Sequence, residues 1–348
     1  MIDQALIVSD HRTAPDPGAA RRRRLAVGLL LAGSALALAG LVAGSDGWSL
    51  PRFDGAGAGL IIGQIRVPRT IGAWMVGALL GLAGAIAQGL FRNPLADPYL
   101  LGSAAGASLA VVLVLAVGSL GGVTTVMTAA NGLARLGMVG AAFVGAFAGV
   151  GLTLILARGA QHTPRLLLAG VVVGVVLSAL GDLVSTLAPE ALRSKQVFML
   201  GTTGFLGWAS VGMLTAGLLA TLPIAWRLAR VLDALTLGED SARSLGLALA
   251  RWRLVLVAVL ALATGIAVSQ AGLVAFVGLA APHLVRRCAP APNGYTVIAS
   301  AAAGGTLLLA ADVLARSLIA PQELPVGVVT AVLGGSYLLW LLRRRRFG

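Results

Sequence analysis

The sequence predicts an all-α polytopic membrane protein of about ten transmembrane helices. Three observations carry this. Hydrophobic residues make up 58% of the 348 residues and charged residues only 11%, where a soluble domain carries roughly 25% charged residues. Mean hydropathy is +0.92. Apolar stretches of about 20 residues, the length that crosses a bilayer as a helix, recur at 25–45, 70–90, 99–118, 136–157, 165–187, 207–226, 253–270, 272–288, 295–314 and 325–342.

Residues 1–24 read as a polar, disordered cytoplasmic tail, and 25–345 as one transmembrane domain. The first stretch follows Arg21–Arg24 and lacks a cleavage site, so it is a retained helix and not a signal peptide. In 70–90, Gly77, Gly81 and Gly84 put small residues on one face, which lets helices approach closely. Gln88, Arg92, Asn93, Pro94, Asp97 and Pro98 then interrupt two apolar stretches. Polar and helix-breaking residues there point to backbone lining a path or turn inside protein. The break near Gln270–Gly272 is the weakest boundary; one long span there would give nine helices. Charge favours ten. The arginine runs Arg21–Arg24 and Arg343–Arg346 both belong in the cytoplasm, which requires an even number of crossings. The arginine-rich stretches Arg158–Arg165, Arg227–Arg253 and Arg286–Asn293 then fall inside as well.

Two segments between spans carry further information. Residues 232–253 are too polar to insert and long for an idle connector. Leu235–Gly238 reads as a turn into a short helix, with Glu239 and Asp240 in its first turn, where acids suit the helix dipole. Arg243 follows Glu239 at i+4, and Gly246 is placed to end the helix. This is either a docking helix for a soluble partner or a solvated loop with an incidental ion pair. Farther on, Asp312 and Arg316 lie one helical turn apart and are placed to pair. Pro321 and Pro325 bracket a break that holds Glu323.

The formal charge is +13, nearly all arginine, and Lys195 is the only lysine. Because the arginines cluster beside apolar spans, they read as topology signals and not as a nucleic-acid surface. One cysteine, Cys288, excludes an intrachain disulfide and a multi-cysteine metal site. Lys195 follows no glycine loop, so there is no P-loop, and neither a GxSxG nor an HExxH motif is present. His162 is placed for ligation or solvation; His283, after Pro282, suits a structural hydrogen bond. An ion-driven transporter needs a ladder of intramembrane ionisable groups, yet Asp182 and Asp312 are the only acids near span interiors. A membrane-embedded enzyme lacks any clustered catalytic set.

Taken together, RVPRT, QGLFRNPLADP, RLLLAG, LGEDSARSLG, GLVAFVGLAAPH and ADVLAR…ELPVGVVT resemble, in order and spacing, the permease subunits of type II ABC importers. This is the FecCD-like family of iron-siderophore, haem and vitamin B12 uptake. The resemblance implies a homodimer of ten-helix subunits in the bacterial inner membrane, with both termini cytoplasmic and one path between the two copies. It further implies two ATPase subunits, which carry ATP and Mg, and a periplasmic or lipid-anchored binding protein. The chain itself would bind no cofactor or metal and would not be an enzyme.

By residue match, LGEDSARSLG is the coupling segment (232–247), with Leu237, Gly238, Glu239, Asp240, Ala242, Arg243 and Gly246 at the ATPase. Arg66, Arg69 and Arg316 match positions that meet carboxylates of the binding protein. Interfacial anchoring competes for Arg66 and Arg69, and pairing with Asp312 competes for Arg316. Asn93 and Leu95, with Thr163 and Pro164, match the cytoplasmic gate, although Pro164 replaces an expected small hydroxyl residue. Gly170, Val171, Gly174 and Ser178 suit the wall of a wide, weakly binding path. The expected cargo is an iron complex, haem or ferric siderophore, with cobalamin as the alternative.

Overall fold

Twelve helices make up most of the described residues, which in this computed structural model are 17–44, 47–48, 59–120, 132–160, 163–244 and 248–345. Helix α1 is Pro17–Val42. It starts eight residues before the expected span, so Arg21–Arg24 are helical and not part of a disordered tail. Proline suits the first helical position, and alanine and arginine are good helix formers. The two-residue strands β1 (Ala43–Gly44) and β2 (Gly47–Trp48) pair antiparallel at its far end.

After a π-helical turn at Ile61–Arg66 comes α2 (Val67–Phe91), the central helix. From Gly77 through Phe91 every residue of α2 is buried. Its glycines explain how neighbours come so close. A Cβ on Gly77 would lie 2.3 Å from the Gly304 carbonyl oxygen, one on Gly81 2.1 Å from that of Ser300, and one on Gly84 1.7 Å from that of Gly278. Close backbone approach replaces the hydrophobic drive that lipid cannot supply.

A 3₁₀ turn (Pro98–Leu101) leads into α3 (Ser103–Leu120), followed by α4 (Gly132–Leu156), α5 (Thr163–Leu187) and the short α6 (Pro189–Leu200). Helix α7 (Trp208–Thr236) runs ten residues past the apolar 207–226. Leu228, Val231, Leu232 and Leu235 stay buried along that extension, so an amphipathic stripe carries the helix on beyond its apolar stretch. The remaining helices are α8 (Glu239–Ser244), α9 (Leu249–Ala271), α10 (Val277–Cys288), α11 (Asn293–Ser317) and α12 (Val326–Arg345). Seven helices among the described residues are long and apolar enough to cross a membrane.

The expected span 272–288 is helical only from Val277 to Cys288. Twelve residues rise about 18 Å, short of the roughly 30 Å hydrocarbon core. Left-handed Phe276 (φ 66°) and Gly272 (φ 70°) mark the break. The exposed backbone groups are met by α6 and the turn after it. The Leu273 N–H donates to the Phe198 carbonyl (2.9 Å), and the Thr202 N–H to that of Ala271 (2.8 Å). Tyr99 Oη donates to the carbonyl of Val274 (3.2 Å). Irregular backbone inside a membrane protein is tolerated where protein satisfies it in this way.

Candidate functional site

Three guanidiniums gather at the end of the bundle away from the arginine runs. Arg66 ends the π-turn, Arg69 is in the first turn of α2, and Arg316 is in the last turn of α11. None is a free rim charge: Arg66 and Arg69 are 8% exposed and Arg316 is 1%. Fully buried Asp312 joins Arg69 and Arg316. It accepts from Arg69 Nε (3.2 Å) and Thr203 Oγ1 (2.5 Å) and pairs with Arg316. Arg316 Nη1 also donates to the carbonyls of Gly40 (3.0 Å) and Ala43 (3.3 Å), while Arg66 Nη1 donates to those of Leu41 (2.8 Å) and Val42 (3.2 Å). The most accessible partner is Glu323, 2.9 Å from Arg69 Nη1 with its side chain 32% exposed. Buried charges persist only when paired and hydrogen-bonded, and this cluster meets that condition.

At the arginine-rich end, the turn after α2 is built by its polar residues. Arg92 adopts φ 49°, Asn93 Oδ1 accepts from the Leu95 N–H (2.9 Å), and Asp97 Oδ1 accepts from that of Tyr99 (2.8 Å). These Asx turns stop the helix and leave Asn93 and Leu95 exposed. Thr163 and Pro164 open α5. Proline at the second helical position loses no helix hydrogen bond, so the fold accommodates it there. His162 and Gly246 lie outside the described residues.

On α5, Val171, Gly174 and Ser178 lie along one open face. Val171 is 51% exposed, Ser178 is exposed, and a Cβ on Gly174 would meet nothing within 4 Å. Exposed Leu168, Val175 and Leu183 extend that face. Gly170 does not belong to it. Its Cβ would fall 2.1 Å from the Leu100 carbonyl oxygen, so Gly170 is where α5 packs on the 3₁₀ turn.

Helix α8 follows Gly238, whose φ of 107° turns the chain after α7. Ala242 is buried against the bundle, while Leu237, Asp240 and Arg243 face outward. The expected Glu239–Arg243 pair is present at 3.5 Å, but a stronger one was not anticipated: Arg253 Nη2 of α9 donates to Glu239 Oε1 at 2.6 Å. Arg253 is 2% exposed. Its hydrogen bond holds the Glu239 carboxyl below the usual carboxylate range, against the opposing effect of burial, with further help from the charges of Arg253, Arg243 and Arg92. Arg92 Nη1 also reaches the Leu235 carbonyl (3.5 Å), tying the turn after α2 to the base of the α8 segment.

A second polar chain runs behind this end. Arg286 Nη1 donates to Gln88 Oε1 (2.7 Å), Gln88 Nε2 to the Leu279 carbonyl (3.0 Å), and Asn293 Nδ2 to Asp233 Oδ1 (2.8 Å). Together with Arg286 Nη2 on Asn293 (3.4 Å), it links α2, α7, α10 and α11. Only Gln88 was flagged from sequence. Apart from Arg286 and Asn293, seven residues apart, the partners lie 60 to 198 residues apart in the chain, beyond any local pattern. His283 packs edge-on against Tyr337 at 5.9 Å, and the described residues contain no cluster of three His, Cys, Asp or Glu side chains able to hold a metal. The two intramembrane acids are both paired, Asp182 with Lys195 (2.5 Å) and Asp312 with its arginines.

Comparison with known proteins agrees with this geometry. The model of the FecCD transport family matches residues 29–344. The chain belongs to the FecCD family. Among FecCD relatives, the vitamin B12 import system permease protein BtuC of Pectobacterium atrosepticum is 38% identical over 330 residues, 94% of this chain and 96% of that protein. BtuC of Klebsiella pneumoniae is 39% identical over 331 residues, 94% and 95% of the two chains. A solved metal-chelate type ABC transporter in an inward-facing conformation superposes with a TM-score of 0.82. It is 26% identical and covers 92% of this chain and 99% of that one. This FecCD chain is therefore a multi-pass ABC importer permease. It is not itself an enzyme, and ATP hydrolysis falls to a separate subunit.

Proposed function

We propose that the chain forms half of a dimeric permease that imports cobalamin by alternating access. The carrying observation is the 38% identity to a vitamin B12 permease across 94% of this chain. The open face of α5 supports the reading, because a large cargo passes best along a wide wall of small and apolar groups that bind weakly. In this scheme the arginine-rich end is cytoplasmic. Two ATPase subunits dock on Leu237, Asp240 and Arg243, and a binding protein engages the Arg66, Arg69 and Arg316 corner. Closure of the ATPases moves α8, and the Glu239–Arg253 pair passes that motion to α9.

An iron complex is the second reading, favoured by the likeness to a metal-chelate type transporter. Uptake into proteoliposomes holding the permease and its ATPase, with loaded binding protein outside, separates the two. Transport of cobalamin but not of haem or a ferric siderophore supports the first reading, and the reverse result replaces it with the second.

A further inference from the structure

Helices α1, α2 and α11 do not close on each other. Between them runs a crevice of about 470 Å³ lined by Leu29, Gly33 and Ala37 of α1, Trp74 of α2, and Ile298 and Ala302 of α11. The small residues on both walls leave a gap that the Trp74 ring does not fill. Protein interiors are close-packed, and an apolar void of this kind stays dry, so side chains and water both leave it open to an alkyl chain. Helix α1 packs on α2, α10 and α11, and at its far end on β1 and the π-turn; Leu30, Leu31 and Leu38 are each about two-thirds exposed.

One end of the crevice is charged. Arg22, Ala26, Leu29, Gly33 and Ala37 follow one another at spacings of three or four residues, which places them on a single helix face. Arg23 flanks the same stripe. Tyr295, itself in the lining, donates its Oη hydrogen to the Arg22 carbonyl (2.8 Å) and fixes this end of α1 against α11. From Ala26 to Ala37 the stripe rises about 16 Å, roughly half the hydrocarbon core. We propose that this crevice holds one acyl chain of an anionic phospholipid, whose phosphate sits on Arg22 and Arg23. The charge of Arg22 and Arg23 selects that occupant over a zwitterionic lipid. The inference rests on the membrane location of α1 and not on which cargo is carried.

The test is lipid retention by the full-length permease, exchanged into mixed micelles of phosphatidylglycerol and phosphatidylcholine and read by native mass spectrometry. One phosphatidylglycerol per protomer is expected, held roughly thirtyfold over phosphatidylcholine, the scale set by two basic side chains at a membrane surface. It should be lost in Gly33→Leu, which fills the crevice, and in Arg22→Gln/Arg23→Gln, which leaves it open. Gly33→Ala should keep it, since the added methyl meets Thr306 Oγ1 at an ordinary 3.6 Å. Brominated acyl chains should quench a fluorescence component that disappears in Trp74→Phe. Equal retention of the two lipids, displacement by millimolar inorganic phosphate, or retention in either the Leu or the Gln variant would each overturn the proposal.

Discussion

Replacing Asp312 by Asn removes one charge from the polar cluster that joins Arg69, Arg316 and Thr203. Asp312 is fully buried, and it is the carboxylate shared by Arg69 and Arg316. Asn keeps the shape and one acceptor for Thr203, but Arg316, 1% exposed, then has only carbonyls of Gly40, Ala43 and residue 312 itself. Breaking a buried ion pair from one side costs about 3–5 kcal/mol, because the partner charge is left uncompensated. On that scale the thermal midpoint in detergent should fall by about 10 °C. Glu323→Gln removes a carboxylate from the same cluster, but one whose side chain is 32% exposed and touches only Arg69. It should cost no more than about 1 kcal/mol. Differential scanning fluorimetry on both variants reads the contrast. If Asp312→Asn melts with the wild type, or Glu323→Gln loses as much, the view of Asp312 as the organiser of this corner is wrong.

The other expectations concern transport and coupling. Gly174→Trp should block uptake while leaving the melting temperature within a few degrees, whereas Gly170→Ala should destabilise the protein because its Cβ strikes the Leu100 carbonyl; paired uptake and melting assays check both. Glu323→Gln should tighten binding-protein docking severalfold in a surface-plasmon measurement, since it frees Arg69 from a competing carboxylate. The Glu239 carboxyl titrates below its unfolded value of about 4.3, so its pairing with Arg253 is fully present above that value and is lost as pH falls through the lowered folded pKa. Amide-exchange protection of Asp240–Ser244 should therefore hold from neutral pH down to about pH 4 and then drop, and Arg253→Met should lower it at every pH.

Hydropathy and charge made the spans legible because bilayer thickness fixes helix length. All ten expected stretches contain helix, and the Gly77, Gly81 and Gly84 face does meet its neighbours. Where the reading fell short, the cause was tertiary. Helix α6 carries the polar run PEALRSKQ, which no span pattern flags; its signals were Pro189 at the start and Gly201 at the end. The break at Gly272–Phe276 is stable only because α6 and Tyr99 satisfy its backbone. The Asp312–Arg316 pair was legible at its i+4 spacing, but the Arg69–Asp312 pair was not, because its two residues lie 243 apart in the chain. Arg253 looked like one more topology arginine, although it is the buried anchor of α8. Gly170 and Gly174 are indistinguishable in sequence, and only the neighbouring Leu100 carbonyl separates packing from path.

The central claim is that this permease moves cargo only when a partner ATPase works through α8. The most direct measurement is uptake of labelled cobalamin, haem and ferric siderophore into proteoliposomes. The permease would be paired in turn with an active ATPase and with one unable to hydrolyse ATP. Accumulation of one cargo with the active partner alone, abolished by Arg253→Met, is the predicted result. Uptake that persists with the inactive partner or without ATP would contradict the account.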